Sequence, residues 1–144
     1  MNNITYKGFV IRKKPWFIRL FARRAMGAEF FGHIYIRDDY YNKLAEDQVN
    51  IDPETRSYLE HEIRHVERLK EVGLIKLGIL YYFFRSVRLR EEMEAIKKEM
   101  QMRKAHDLGF EFEKRARSLS GYPYLWTSSY EDALRKLKDL WEKT

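Results

Sequence analysis

Residues 61–65 read His61-Glu62-Ile63-Arg64-His65, two histidines four positions apart with a glutamate directly after the first. On a helix, positions i and i+4 stand one turn apart on one face, so both imidazoles point the same way. With 4 histidines and 15 glutamates in 144 residues, chance supplies such a pattern roughly 0.01 times per chain. Across a proteome that still makes many accidents, so the flanking residues have to discriminate. At about 100° per residue, Leu59, Ile63, Val66 and Leu69 share one arc of a helix over 56–72. Arg56, Glu60, Arg64, Glu67, Arg68 and Glu71 share the other. Glu62 falls in the middle of the apolar arc, and His61 and His65 lie on its edge. A carboxylate aimed at a core needs a partner, because an unpaired buried charge is expensive. Two arrangements meet that need. One is a core glutamate paired with an arginine, beside two hydrogen-bonded histidines. The other is a metal site, with both imidazoles on a zinc ion and Glu62 as general base towards water.

The chain lacks cysteine, so a disulfide scaffold and a thiolate zinc site are excluded. Only histidines and carboxylates remain as metal ligands. Hydrophobic residues at 44% and aromatics at 15% fit a globular chain, expected as one domain over 1–144. A net charge of +6 invites a nucleic-acid or membrane reading. The cations are interspersed with 22 acids, however, and form no polybasic block. Neither a nucleic-acid partner nor a membrane is therefore expected. No run approaches the roughly 20 apolar residues of a spanning helix, and the first residues lack a secretory pattern. A cytoplasmic location is the expectation.

Local patterning predicts an α+β fold, mostly helical, with a small N-terminal sheet. Residues 4–12 read as a strand and 16–26 as a helix with a basic outer face. Residues 29–37 read as a second strand, at a sheet edge beside a cleft, with His33 as a rim histidine. Asp38 and Asp39 can cap a short helix through Leu44. Asp52 and Pro53 open the helix of the histidine pair, and Gly73 closes it. Residues 74–89 read as a mostly buried helix with Tyr81, Tyr82, Phe83 and Phe84 in the core. A long helix follows over 90–108, ended by Gly109, then a helical turn or two over 111–119 and an aromatic loop over 120–127. Ser129 caps a last helix over 130–143.

A catalytic zinc takes three protein ligands and keeps a fourth position for water. Residues 66–73 contain no histidine, so the third ligand is sought among Glu91, Glu92 and Glu94 on the next long helix. Glu92 lies one turn from both Leu89 and Ile96, at the edge of the apolar face. Glu94 points away with Lys98 and Gln101, and Glu91 sits near it. Geometry favours Glu92.

The histidine motif, followed by Glu92-Met93-Glu94-Ala95 on a second helix, resembles the gluzincins, the zinc peptidase clan of thermolysin. In many of them a small residue stands three positions after the ligand glutamate, as Ala95 does here. The resemblance covers roughly residues 29–100, and the length is similar to that of the small members called minigluzincins. Two features depart from the pattern. Many members carry an aspartate four residues after the ligand glutamate, where this chain has Ile96. A thermolysin-like Asn-Glu-Ala pattern would choose Glu94 instead. The resemblance implies a zincin-like domain with His61, His65 and Glu92 on Zn²⁺, Glu62 as general base, and a peptide or protein substrate. The segment over about 110–144 is surplus to the motif helices, and would cover the cleft in a latent form. The competing expectations are a non-enzymatic basic module for nucleic acid or anionic membrane, and a metal-bearing protein without turnover.

Overall fold

The computed structural model describes residues 4–15, 29–30 and 33–144. The helix expected over 16–26 lies outside them. Strands β1 (Ile4–Tyr6) and β2 (Phe9–Lys13) form a hairpin. The strand expected over 4–12 is thus two strands. Its turn residues, Lys7 and Gly8, both have positive φ, which matches the right-handed twist of paired strands. Gly8 adopts that conformation without steric cost. Strands β3 (Glu29–Phe30) and β4 (His33–Ile36) also pair antiparallel, and β2 runs parallel to β4. The sheet order among the described residues is β1-β2-β4-β3. The single strand expected over 29–37 is therefore corrected to two short ones. Among the described residues β3 ends the sheet on this side, while β4 is inner, because backbone pairing satisfies both of its sides along His33 and Ile34.

Register places Ile4, Ile11 and Ile34 in one row across the sheet, and all three are buried with Ile36. Against that face pack α1 (Asp38–Glu46), through Leu44, and α2 (Pro53–Val72), through Leu59, Ile63 and Val66. Asp38 and Asp39 occupy the first turn of α1 rather than its cap, which falls on Arg37. Helix α2 begins and ends where its sequence says. Asp52 accepts a hydrogen bond from the Thr55 amide, Pro53 opens the first turn, and Gly73 closes the helix at φ 92°. Such a side-chain cap stabilises a helix by about 1 kcal/mol.

The next segment departs from expectation. Helix α3 (Leu74–Phe83) stops at Phe84, whose backbone is extended, and α4 (Arg85–Ala105) starts immediately. The break holds because the Arg88 guanidinium donates to the carbonyls of Tyr81 and Tyr82, at 2.8 and 2.6 Å. Those carbonyls lie at a helix end that would otherwise lack partners. Tyr82, Phe83 and Phe84, expected in the core, are exposed. A segment apolar all round carries more apolar surface than one packing face can cover. Helix α4 ends at Ala105, before Gly109.

A second core joins Ile96 and Met100 of α4 to α5 (Phe112–Leu119) and α6 (Tyr130–Lys143), with Ala116, Leu119, Ala133 and Leu137 buried. Tyr124, at the end of a 3₁₀ turn (Tyr122–Tyr124), completes it. Helices α2 and α4 pack along each other between the two cores. That seam brings the charged side chains of both helices face to face.

Candidate metal centre

Both histidines project from α2 into the seam. Their Nε2 atoms stand 3.3 Å apart. From α4, Glu92 Oε2 stands 3.9 Å from His61 Nε2 and 3.7 Å from His65 Nε2. These three side chains form the one potential metal-holding group among the described residues. Those separations put a single point about 2.1 Å from all three atoms, within the roughly 2.0–2.2 Å of zinc bonds to histidine nitrogen and carboxylate oxygen. Glu92 is 1% exposed, and its Oε2 has no hydrogen-bond partner among the described residues. A buried carboxylate oxygen without a donor, between two imidazole nitrogens, fits a divalent cation. Its other oxygen accepts from the Tyr81 hydroxyl at 2.6 Å.

Electrostatics follow from that placement. Burial raises the Glu92 pKa, but His65, His61 and the Tyr81 hydroxyl outweigh it and leave the carboxyl at about 2. Burial opposes charge on His65, yet Glu92 and Glu62 together raise its pKa. The Tyr81 phenol is pushed far up, by burial first and then by Glu92. It therefore stays a donor.

Glu62 is buried beside the pair, as its place in the apolar arc requires, and its Oε2 also lacks a partner among the described residues. Tyr58 lies near the same carboxylate, and burial with that charge raises the Tyr58 pKa. Tyr58 in turn stacks on Tyr40, with ring centroids 4.4 Å apart. An arginine partner for Glu62, one of the two arrangements the sequence allowed, is not found among the described residues.

Of the three candidate glutamates, only Glu92 reaches the histidines. Glu94 is exposed. Glu91 is buried, contrary to its expected place beside Glu94, and is held by Arg68 at 2.9 Å and Arg90 at 3.0 Å. Its burial follows from the close approach of α2, which supplies Arg68. His33 stands apart from the group, half-buried with its ring edge-on to Tyr35.

One residue of the centre escaped the sequence reading. Glu99 Oε2 lies 3.3 Å from His61 Nδ1, at an angle short of a full hydrogen bond. Arg115 of α5 grips the same oxygen at 2.6 Å, and Arg103 approaches Oε1 at 3.3 Å. Burial raises the Glu99 pKa, but Arg115, His61 and Arg103 bring it down to about 2. A carboxylate behind a ligating histidine orients the ring and makes its outer nitrogen a better ligand. Glu99 is seven residues after Glu92, two turns along the same helix face, and that spacing was the available signal. With a divalent metal held by the group, Glu99→Gln will weaken its binding by about 10–100-fold, measured by competition with a chelating dye. Unchanged affinity in a variant with the wild-type circular dichroism spectrum would remove Glu99 from the centre.

A scan against protein-family models finds no match, and searches of curated proteins and of solved structures find none either.

Proposed function

We propose that this chain is a zinc-dependent endopeptidase built on a zincin-like domain. The observation that carries the reading is the set of three ligand atoms on two helices, with Glu62 buried beside them. His61 and His65 would each offer Nε2 to the metal, and Glu92 would offer Oε2. Zinc, when bound, supplies a Lewis acid that polarises a peptide carbonyl and makes water a competent nucleophile near neutral pH. Glu62 would accept a proton from the attacking water as the C–O bond forms, then deliver it to the amine nitrogen, so that the C–N bond breaks as the carbonyl re-forms. Glu99 and its arginines hold the His61 ring.

The same burial supports a latent form. Tyr124 is buried and coupled to the centre: its pKa is raised by burial first and then by Glu92. Arg85 and Arg88 tie the adjoining Thr127 to the start of α4. Deleting everything after about residue 118 is a poor test, because α6 supplies Ala133 and Leu137 to the core under α4. Tyr124→Ala is the sharper one. Peptide hydrolysis will rise several-fold in this variant despite its lower melting temperature. Turnover at or below that of the parent chain would remove the cover.

The primary test is elemental analysis of the purified chain beside a His65→Ala control, followed by a screen of unstructured peptides. One zinc per parent chain with metal-dependent cleavage is expected. Zinc without cleavage by the parent chain or by Tyr124→Ala would leave a metal-bearing protein that does not turn over.

A further inference from the structure

We infer that the corner between α3 and α4, together with the loop before α6, docks on an anionic bilayer surface. Tyr82, Phe83 and Phe84 are 67%, 71% and 53% exposed. Across from them Tyr122, Leu125 and Trp126 are 68%, 39% and 57% exposed. The two segments are tied together by a single guanidinium. Arg88 binds the Tyr81 and Tyr82 carbonyls through Nη1 and the Thr127 hydroxyl through Nε. Arg85 adds a 2.6 Å bond to the Thr127 carbonyl. Six large apolar side chains exposed on two segments tied together exceed the scattered exposure of an ordinary surface and mark an interaction site.

The loop is built to present its residues. Leu125 and Trp126 have φ of 52° and 48° in succession, a left-handed conformation that non-glycine residues adopt at a cost. The Trp126 amide is held on the Gly121 carbonyl at 3.0 Å. Backbone strain kept in order to display a leucine and a tryptophan to solvent points to a use for the display.

Charge identifies the occupant. Residues 72–90 and 114–130 contain no acid. Of their cations, Lys76, Arg85 and Arg117 are exposed, whereas Arg88 is buried, Arg115 is spent on Glu99, and Arg90 and Lys114 pair with Glu91 and Glu111. All 22 acids lie elsewhere in the chain. Lys76, Ile79 and Phe83 fall at i, i+3 and i+7, on one face of α3. A two-fold pairing of copies would set the patch against itself, cation against cation. Tyrosine, tryptophan and phenylalanine flanked by Lys and Arg suit the headgroup boundary of an anionic bilayer, where rings enter the interface and cations stay among phosphates. The sequence expectation of no membrane partner rested on cations interspersed with acids along the chain. The fold ties two acid-free stretches together at Thr127. Nothing in this inference depends on the zinc reading.

The test is flotation of the full chain with vesicles of equal parts phosphatidylglycerol and phosphatidylcholine, or of phosphatidylcholine alone. The chain will float with the anionic vesicles at low salt and not with the neutral ones. Raising the salt will weaken binding by about tenfold or more, as screening shortens the reach of the cations. Tyr82→Ser/Phe83→Ser/Trp126→Ser will lose about tenfold or more in affinity, while Val49→Ser, at an exposed apolar position outside both stretches, will bind as the parent does. As a second measurement, anionic vesicles will shift tryptophan emission to the blue in the parent chain and not in Trp126→Phe. Absence of flotation, equal binding to neutral vesicles, or full binding by the triple variant overturns the proposal. So does a dimer in sedimentation that the triple substitution disperses without any vesicle binding, which reassigns the patch to a second copy.

Discussion

Glu62→Gln will lower peptide hydrolysis by about 10²–10⁴-fold, the range for loss of a general base, and leave zinc content unchanged. The amide keeps the size and shape of the carboxylate, so Tyr58 and the apolar residues around it lose no packing. It cannot accept the proton. Glu62 also carries no ligand atom in the three-membered group, which is why the metal should stay. The informative comparison is steady-state hydrolysis of one peptide by the two proteins at matched zinc content. Hydrolysis at the parental rate would remove the assigned role. Loss of both zinc and activity would instead make Glu62 part of the metal-holding set.

His65→Ala will abolish stoichiometric zinc and the thermal stabilisation that zinc confers. Two groups cannot close around an ion as three do, and the deleted nitrogen sits 3.3 Å from its partner. In the parent chain, free zinc at about 100 times its Kd adds about 2.7 kcal/mol to stability. At roughly 3 °C per kcal/mol for a domain of this size, the melting temperature rises by about 8 °C. A chelator will reverse that rise, and the variant will show neither effect. A parent chain whose melting temperature ignores both zinc and chelator would leave two structural histidines and a buried carboxylate. The basic-module reading would then have to account for the seam.

How far the sequence reaches is clearest on α2. Asp52, Pro53 and Gly73 bounded that helix, and its periodicity put Glu62 on the core side, because capping chemistry and a 3.6-residue repeat are local. The same wheel on α4 separated Glu92 from Glu94. It misplaced Glu91 and did not single out Glu99, for a shared reason. Apolar periodicity assigns charged residues to solvent, whereas the buried face of α4 carries Arg88, Glu91, Glu92 and Glu99 among Ala95, Ile96 and Met100. Charges lie inside only where another element brings an opposite charge or a ligand partner, and Arg68, Arg115 and His61 come from other helices.

The strands show the same division. Residues 4–12 and 29–37 have β composition, but where each chain folds back is set by pairing with a neighbour, which one strand's residues do not encode. The aromatic run at 81–84 read as core because it is apolar, and its exposure was decided by Arg88 binding carbonyls across a helix break. The sequence by itself therefore determined the helix of the histidine pair, the inward turn of Glu62 and the separation of Glu92 from Glu94 on their helix, all consequences of spacing along one element. Only the tertiary structure decided what stands behind His61, what surrounds the centre and which apolar residues meet solvent. Those are relations between elements, set by which faces pack together.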